Sequence, residues 1–262
     1  MEDEEELFHP IDLDAILDVP FSSVALAVQA ISVEKKKITM ITGGGTTELT
    51  GKACSPYGFH WAYDTHALAV GTGGAVVKAG GDSWFFLTAD YAFGQSLEKD
   101  ASAIIKANGG SVVGSVKHPL SASDFSSFLL QAQSSGAKVV GLANAGLDTQ
   151  NAIKQAAEFG ITQGGQKLAA LLFTLAEVHG LGLDAAQGLN LTETFYWDLN
   201  DGTRAFSQRF AKRANGNMPS MNQDGVGKRR VTKYDPIAVG EQSTVVAEYQ
   251  AEERTSEDYQ TE

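Results

Sequence analysis

A single cysteine in 262 residues, Cys54, excludes an internal disulfide, and no redox or metal-binding spacing surrounds it. Basic residues are also scarce: 20 Lys and Arg face 32 Asp and Glu, a formal charge of -12, with no concentrated basic stripe. That balance argues against a general nucleic-acid binder. The longest basic run, Lys35 to Lys37, closes a helical pattern and reads as a complement to the helix dipole. No apolar run approaches the roughly 20 residues that span a bilayer, so no direct membrane insertion is expected. The start, MEDEEELFHP, is acidic where a secretory signal is basic and then apolar, so the sequence as written is expected to carry no export signal. Catalytic signatures are missing too. The five histidines (His9, His60, His66, His118, His179) are scattered, with no HExxH pair and no GxSxG elbow.

What is present is a core and an alternation. With 43% apolar residues the chain buries a sizeable interior and is long enough for one large or two small domains. Strand patterns fall at Ala15 to Val19, Lys37 to Thr42, Ser83 to Thr88, Ser111 to Val116, Ala137 to Ala143, Lys167 to Phe173 and Gly188 to Glu193. Helical patterns lie between most of them, at Ser23 to Glu34, Thr65 to Ala79, Phe93 to Asn108, Asp124 to Ser134, Thr149 to Phe159 and Thr203 to Arg213. Such alternation predicts parallel βαβ crossovers and a doubly wound α/β sheet. Gly80-Gly81, Gly109-Gly110, Gly136 and Gly160 each fall just past a predicted helix, where a left-handed residue ends it. Ser123-Asp124 and Asp148-Thr149 are read as helix caps.

The most informative stretch is WFFLTADYAFG, Trp84 to Gly94. Its apolar run suits a strand covered on both faces, and its polar end delivers Thr88, Asp90, Tyr91 and Phe93 to one loop. Loops at the carboxyl ends of such strands are where open α/β sheets bind ligands. GGGTTELT, Gly43 to Thr50, also follows a strand. It has neither the Gly-Lys-Ser/Thr ending of a Walker loop nor a GxGxxG spacing, and is read equally as a turn or as small residues that let backbone amides approach a carboxylate. Asp90, Glu177 and Asp198 sit near strand ends, where a solvated or cation-pairing role is expected over acid-base work. No catalytic set, cofactor motif or metal site emerges.

Several ordered blocks resemble the branched-chain amino-acid substrate-binding proteins of bacterial ABC importers, of the type I periplasmic-binding-protein family. They are DAILDVPFSSVALAVQ (Asp14 to Gln29), GGGTTELTGKACSPYGFHWAYDT (Gly43 to Thr65), WFFLTADYAFG, His118 to Ile161, and GLNLTETFYWDLNDGTRAFSQRF (Gly188 to Phe210). The resemblance implies a two-lobed fold with parallel doubly wound sheets, no enzymatic activity, a small amino acid or amide as ligand, an ABC permease as partner and a periplasmic location, or a cytoplasmic one if the chain is complete as written. It implies ligand contacts from Ser22, Ser23, Gly45, Thr46 and Thr47 in the first lobe. From the second it implies Tyr91 or Phe93, main chain at Ala145 and Gly146, and Glu177 as the acid for an ammonium group.

The chain also departs from that family. It enters the first lobe midway, so the expected organisation is a leader over residues 1–12, a partial first lobe over 13–80, a second lobe over 81–223 and a polar, disordered tail over 224–262. The missing units are expected to leave a sheet edge and apolar faces uncovered. The tail from Lys233 resembles the leader of type I restriction enzyme motor subunits, but no nuclease or ATPase motif follows, so that resemblance implies neither activity. An intracellular amide-sensing module and a non-functional fusion remnant are the alternative expectations.

Overall fold

The computed structural model describes residues 13–61 and 63–221, together with the backbone of the strand Val245–Glu248. The organising strand is β4, Ser83–Ala89. Trp84 and Phe86 enter one apolar core while Phe85 and Leu87 enter another on the opposite face, all at most 8% exposed. Period-two alternation with apolar residues at every position is the mark of a central strand covered on both sides.

Around β4 the chain builds a sheet in the order β5-β4-β6-β7-β8-β9. The partners are β5 (Ser111–His118), β6 (Val139–Ala143), β7 (Lys167–Ala170), β8 (Leu189–Glu193) and β9 (Val245–Glu248). All pairs are parallel except β8 with β9. Trp84 pairs with Val139 and Thr88 with Ala143, so the two strands expected to share a sheet do so in parallel. A smaller parallel sheet, ordered β1-β2-β3, is made from Ala15–Leu17, Ile38–Ile41 and Gly58–His60. Its core is slight, with Val19, Ala25, Ile41 and Leu49 buried. β1 lies at its edge, and Leu17 there is 62% exposed. Val24, Ile31 and Val33 on the following helix α1 (Ser22–Lys35) are exposed as well.

Helix α4, Ala92–Ala107, shows how sequence spacing becomes packing. Phe93, Leu97, Ala101 and Ile105 recur every four residues and are all 3% exposed or less. They pack with Trp84, Phe86 and the segment made of α2 (Thr65–Leu68), a π-helical turn (Ala69–Gly74) and α3 (Ala75–Lys78). The expected boundary at residue 80 therefore differs from the packing, because Leu68, Ala69, Val76 and Val77 complete the core of the second sheet. The remaining helices are α5 (Ser126–Ser134), α6 (Gly146–Glu158), α7 (Leu175–Leu181) and α8 (Asp201–Ala211). Gly136 and Gly160 take φ of +65 and +66 after α5 and α6, which supports the stop signals read there. The expected tail lies outside the described residues except for β9.

Hydroxyls latch the lobes together. The Thr46 hydroxyl is hydrogen-bonded to that of Ser96 at 2.7 Å, and Thr47 and Thr65 donate to Asp100 Oδ2 at 3.0 and 2.6 Å. Ser96 and Asp100 belong to α4, so the threonine loop of the first lobe is tied to the second.

Candidate functional site

The strand order β5-β4-β6 makes the gap between β4 and β6 a topological switch point, where the connections leave to opposite sides. Loops at the carboxyl ends of those strands splay apart there and leave a crevice. A half-enclosed cavity of about 570 Å³ occupies it, walled by Tyr91 and Phe93 after β4 and by Ala145, Gly146, Leu147 and Asp148 after β6. Pro20, Phe21 and Gly43, at the carboxyl ends of β1 and β2, close it from the first lobe. Tyr63, Leu172, Asn151 and the loop Leu120 to Ser123 complete the wall. This volume lies within the range of small-molecule sites.

Three long helices begin at the cavity. The N-cap residues Phe21 (α1), Tyr91 (α4) and Ala145 (α6) all line it, and none of these caps is made by a side-chain hydrogen bond. The first-turn amides and the positive ends of the dipoles are therefore available to an anionic ligand group. Beneath the loops a buried network fixes their positions. Asn144 bonds His118 Nε2 at 3.1 Å and accepts from Thr149 Oγ1 at 2.8 Å, while Ser121 donates its backbone N–H to Asp148 Oδ2 at 3.2 Å.

The walls are aromatic and apolar, and the two phenols stay protonated at neutral pH. Burial pushes the Tyr91 hydroxyl up to about 12, with the Asp148 charge adding to it. Burial likewise raises Tyr63, helped by Glu177, Tyr91 and Glu193. Gly45 is what admits the rings: a Cβ there would meet Phe93 at 2.9 Å and Tyr63 at 3.4 Å.

Of the residues expected at the site, Tyr91, Phe93, Ala145 and Gly146 line the cavity together, whereas Ser22, Ser23, Gly45, Thr46, Thr47 and Glu177 are not among its lining. The Ser22 hydroxyl is buried and accepts the Thr46 N–H at 3.1 Å. Thr46 and Thr47 spend their hydroxyls on the lobe latch. Glu177 closes a capping box at the start of α7, accepting from the Thr174 N–H at 2.8 Å and its hydroxyl at 2.9 Å. Asp90 and Asp198 pair with Lys117 and Arg204, in line with the cation-pairing role expected of them. Asp148 and Thr149 do not cap α6 as expected, since the helix begins earlier, at Gly146. Tyr63, Asp148 and Leu172 were missed. Tyr63 lies in an irregular segment with no periodicity, and Asp148 carries the same local signal as a cap.

A second buried acid ties the chain together behind the cleft. Glu193, 1% exposed, accepts the backbone N–H of Leu175 at 2.6 Å and of Met221 at 3.2 Å. Burial pushes its carboxyl up to about 7, against the pull of those two donors and with a further push from Glu177. Between the ordinary value of 4.5 and about 7, the folded protein keeps a proton that the unfolded chain releases. Stability present at low pH is therefore lost as pH rises through that window, by up to about 3 kcal/mol. Urea unfolding at pH 5 and pH 8 is expected to show this loss, and Glu193→Gln to flatten it; an equal slope in the variant contradicts the assignment.

Among the described residues no group of His, Cys, Asp or Glu is placed to hold a metal ion, and no helix is long and apolar enough to cross a membrane. No curated protein matches the sequence. A periplasmic binding protein of Burkholderia mallei is 53% identical with a TM-score of 0.78, over 84% of this chain and 58% of its own. A branched chain amino acid ABC transporter periplasmic ligand-binding protein of Burkholderia xenovorans is 36% identical (TM-score 0.71; 84% of this chain, 59% of its own). An amino acid ABC transporter substrate-binding protein of Pseudomonas fluorescens is 25% identical (TM-score 0.74; 85% and 61%). The chain thus spans about three fifths of each of these relatives. With the switch-point cleft, two sheets parallel except at the β8–β9 edge and a match to the periplasmic binding protein family over residues 5–226, the chain belongs to that family and carries its type I fold.

Proposed function

We propose that the protein is the substrate-binding component of an ABC importer, taking a branched-chain amino acid or small amide into the interlobe cleft without chemical change. The observation that carries this reading is the convergence of three uncapped helix N-termini, from both lobes, on one aromatic-walled cavity of about 570 Å³. The amides suit a carboxylate or amide oxygen. Tyr63, Phe93 and Leu172 suit an uncharged side chain, whose burial contributes about 1.5–3 kcal/mol. Among the described residues no lysine, arginine or histidine lines the cavity, and none of them offers a phosphate a basic clamp there. The Burkholderia xenovorans relative, named for branched chain amino acids, supports the same class. Delivery to a membrane permease and a periplasmic location follow from the family and belong to the proposal.

Isothermal calorimetry on the full chain against leucine, isoleucine, valine and short amides tests it. Saturable heat with at least one is expected. No heat with any, alongside a folded circular dichroism spectrum, contradicts it.

A further inference from the structure

A network of hydroxyls around one carboxylate joins α4 to the threonine loop and to α2. Asp100, half-buried on α4, accepts the Thr65 hydroxyl at 2.6 Å and the Thr47 hydroxyl at 3.0 Å, both at Oδ2. The Thr65 oxygen in turn accepts the Thr47 N–H at 3.3 Å, and the Thr65 N–H donates to the Gly45 carbonyl at 2.7 Å. One residue away the Thr46 hydroxyl meets Ser96, and the Thr46 N–H donates to Ser22. Each member stands close in sequence to the cavity wall: Thr65 to Tyr63, Ser96 to Phe93, Ser22 to Phe21, and Thr46 and Thr47 to Gly43. The main chain of Gly45, which the network holds, lies against the rings of both Tyr63 and Phe93.

We propose that Asp100 is a positioning residue for ligand selection: by holding Thr47 and Thr65 against α4 it fixes how far Tyr63 stands from Phe93, and so the width of the cavity between them. The proposal rests on the reading of the cavity as the ligand site. Asp100 is not itself in the cavity wall, and it acts on the ligand only through the two threonines. Two hydroxyls on one ionised oxygen make charge-assisted bonds, stronger and geometrically tighter than those between neutral groups. Loosening them lets the wall retreat. A gap of 0.5–1 Å forfeits about a quarter to a half of each contact, so a side chain that spans the cavity loses more than a shorter one that touches less of it.

The test is calorimetry on the full chain with leucine and with valine, for the parent, Asp100→Ala and Asp100→Asn. Asp100→Ala is expected to weaken leucine at least about tenfold and valine by less than about threefold. Asp100→Asn, whose amide oxygen still accepts both hydroxyls, is expected to stay within about threefold of the parent for both amino acids. Equal losses for leucine and valine in Asp100→Ala make Asp100 a structural support and overturn the proposal, as does an Asn variant no better than the Ala variant. Hydrogen exchange on the free protein gives a reading that needs no ligand. There Asp100→Ala is expected to speed exchange at Gly43 to Gly51 and Asp64 to Leu68 and to leave β6 and β7 unchanged; acceleration everywhere, or none at those two segments, overturns the proposal. Leucine bound alike by the parent and Asp100→Ala removes the Asp100 role alone and leaves the cleft reading standing. If neither amino acid binds the folded parent, the cleft reading falls and the selection role falls with it.

Discussion

Ala145→Trp is expected to abolish ligand binding while leaving the protein folded. Ala145 is the N-cap of α6 with φ -152 and ψ 162, extended backbone that any side chain accepts. It is half-buried and its surface belongs to the cavity, so the added indole competes for the space the ligand needs. Loss of at least about a hundredfold in affinity, some 2.7 kcal/mol, is the expected result in calorimetry, with a circular dichroism spectrum and melting midpoint like those of the parent. Unchanged affinity would place the ligand elsewhere.

Gly94→Ala is expected to do the opposite and damage the fold first. A Cβ at Gly94 would lie 2.1 Å from the Ala89 carbonyl oxygen and 2.9 Å from that of Ala143, both main-chain atoms at the ends of β4 and β6. Neither can move without shifting the central strands, so α4 must retreat from the sheet and carry Tyr91 and Phe93 with it. Overpacking of this kind costs about 3 kcal/mol or more, a fall in melting midpoint on the order of 10 °C for a chain of this size. Binding is expected to weaken in parallel. A variant that melts like the parent contradicts the close approach of α4 to the strand ends.

The second sheet was legible because its strands announce themselves one at a time. Trp84 to Leu87 is apolar at every position, and only a strand buried on both faces accepts that. The helices were legible where the spacing was clean, as with Phe93, Leu97, Ala101 and Ile105. β3 escaped because three residues, Gly58, Phe59 and His60, make no periodicity, and α7 because its seven residues include Gly180 and are followed at once by Gly182, breaking signals around a short apolar face. The strand order lay outside any local pattern, since it depends on which edges meet after crossover.

The site was half legible for the same reason. Tyr91, Phe93, Ala145 and Gly146 follow directly from strand ends, so the rule about carboxyl-terminal loops found them. Thr46 and Thr47 carry hydroxyls in a loop of the right kind, but their partners Ser96 and Asp100 lie about a turn apart on a distant helix, and no sequence pattern reveals that pairing. Asp148 was read as a cap because Asp followed by Thr before an apolar helix is the ordinary sign of one. Gly146 starts the helix two residues earlier, which puts Asp148 in the first turn, where its Oδ2 accepts the Ser121 N–H.

The most direct measurement is a crystal structure of the full chain grown with leucine at saturating concentration. The amino acid is expected between Tyr63 and the N-termini of α4 and α6, with its carboxylate on first-turn amides. Leucine bound outside this cavity, or a cavity left empty while calorimetry reports saturation, would contradict it.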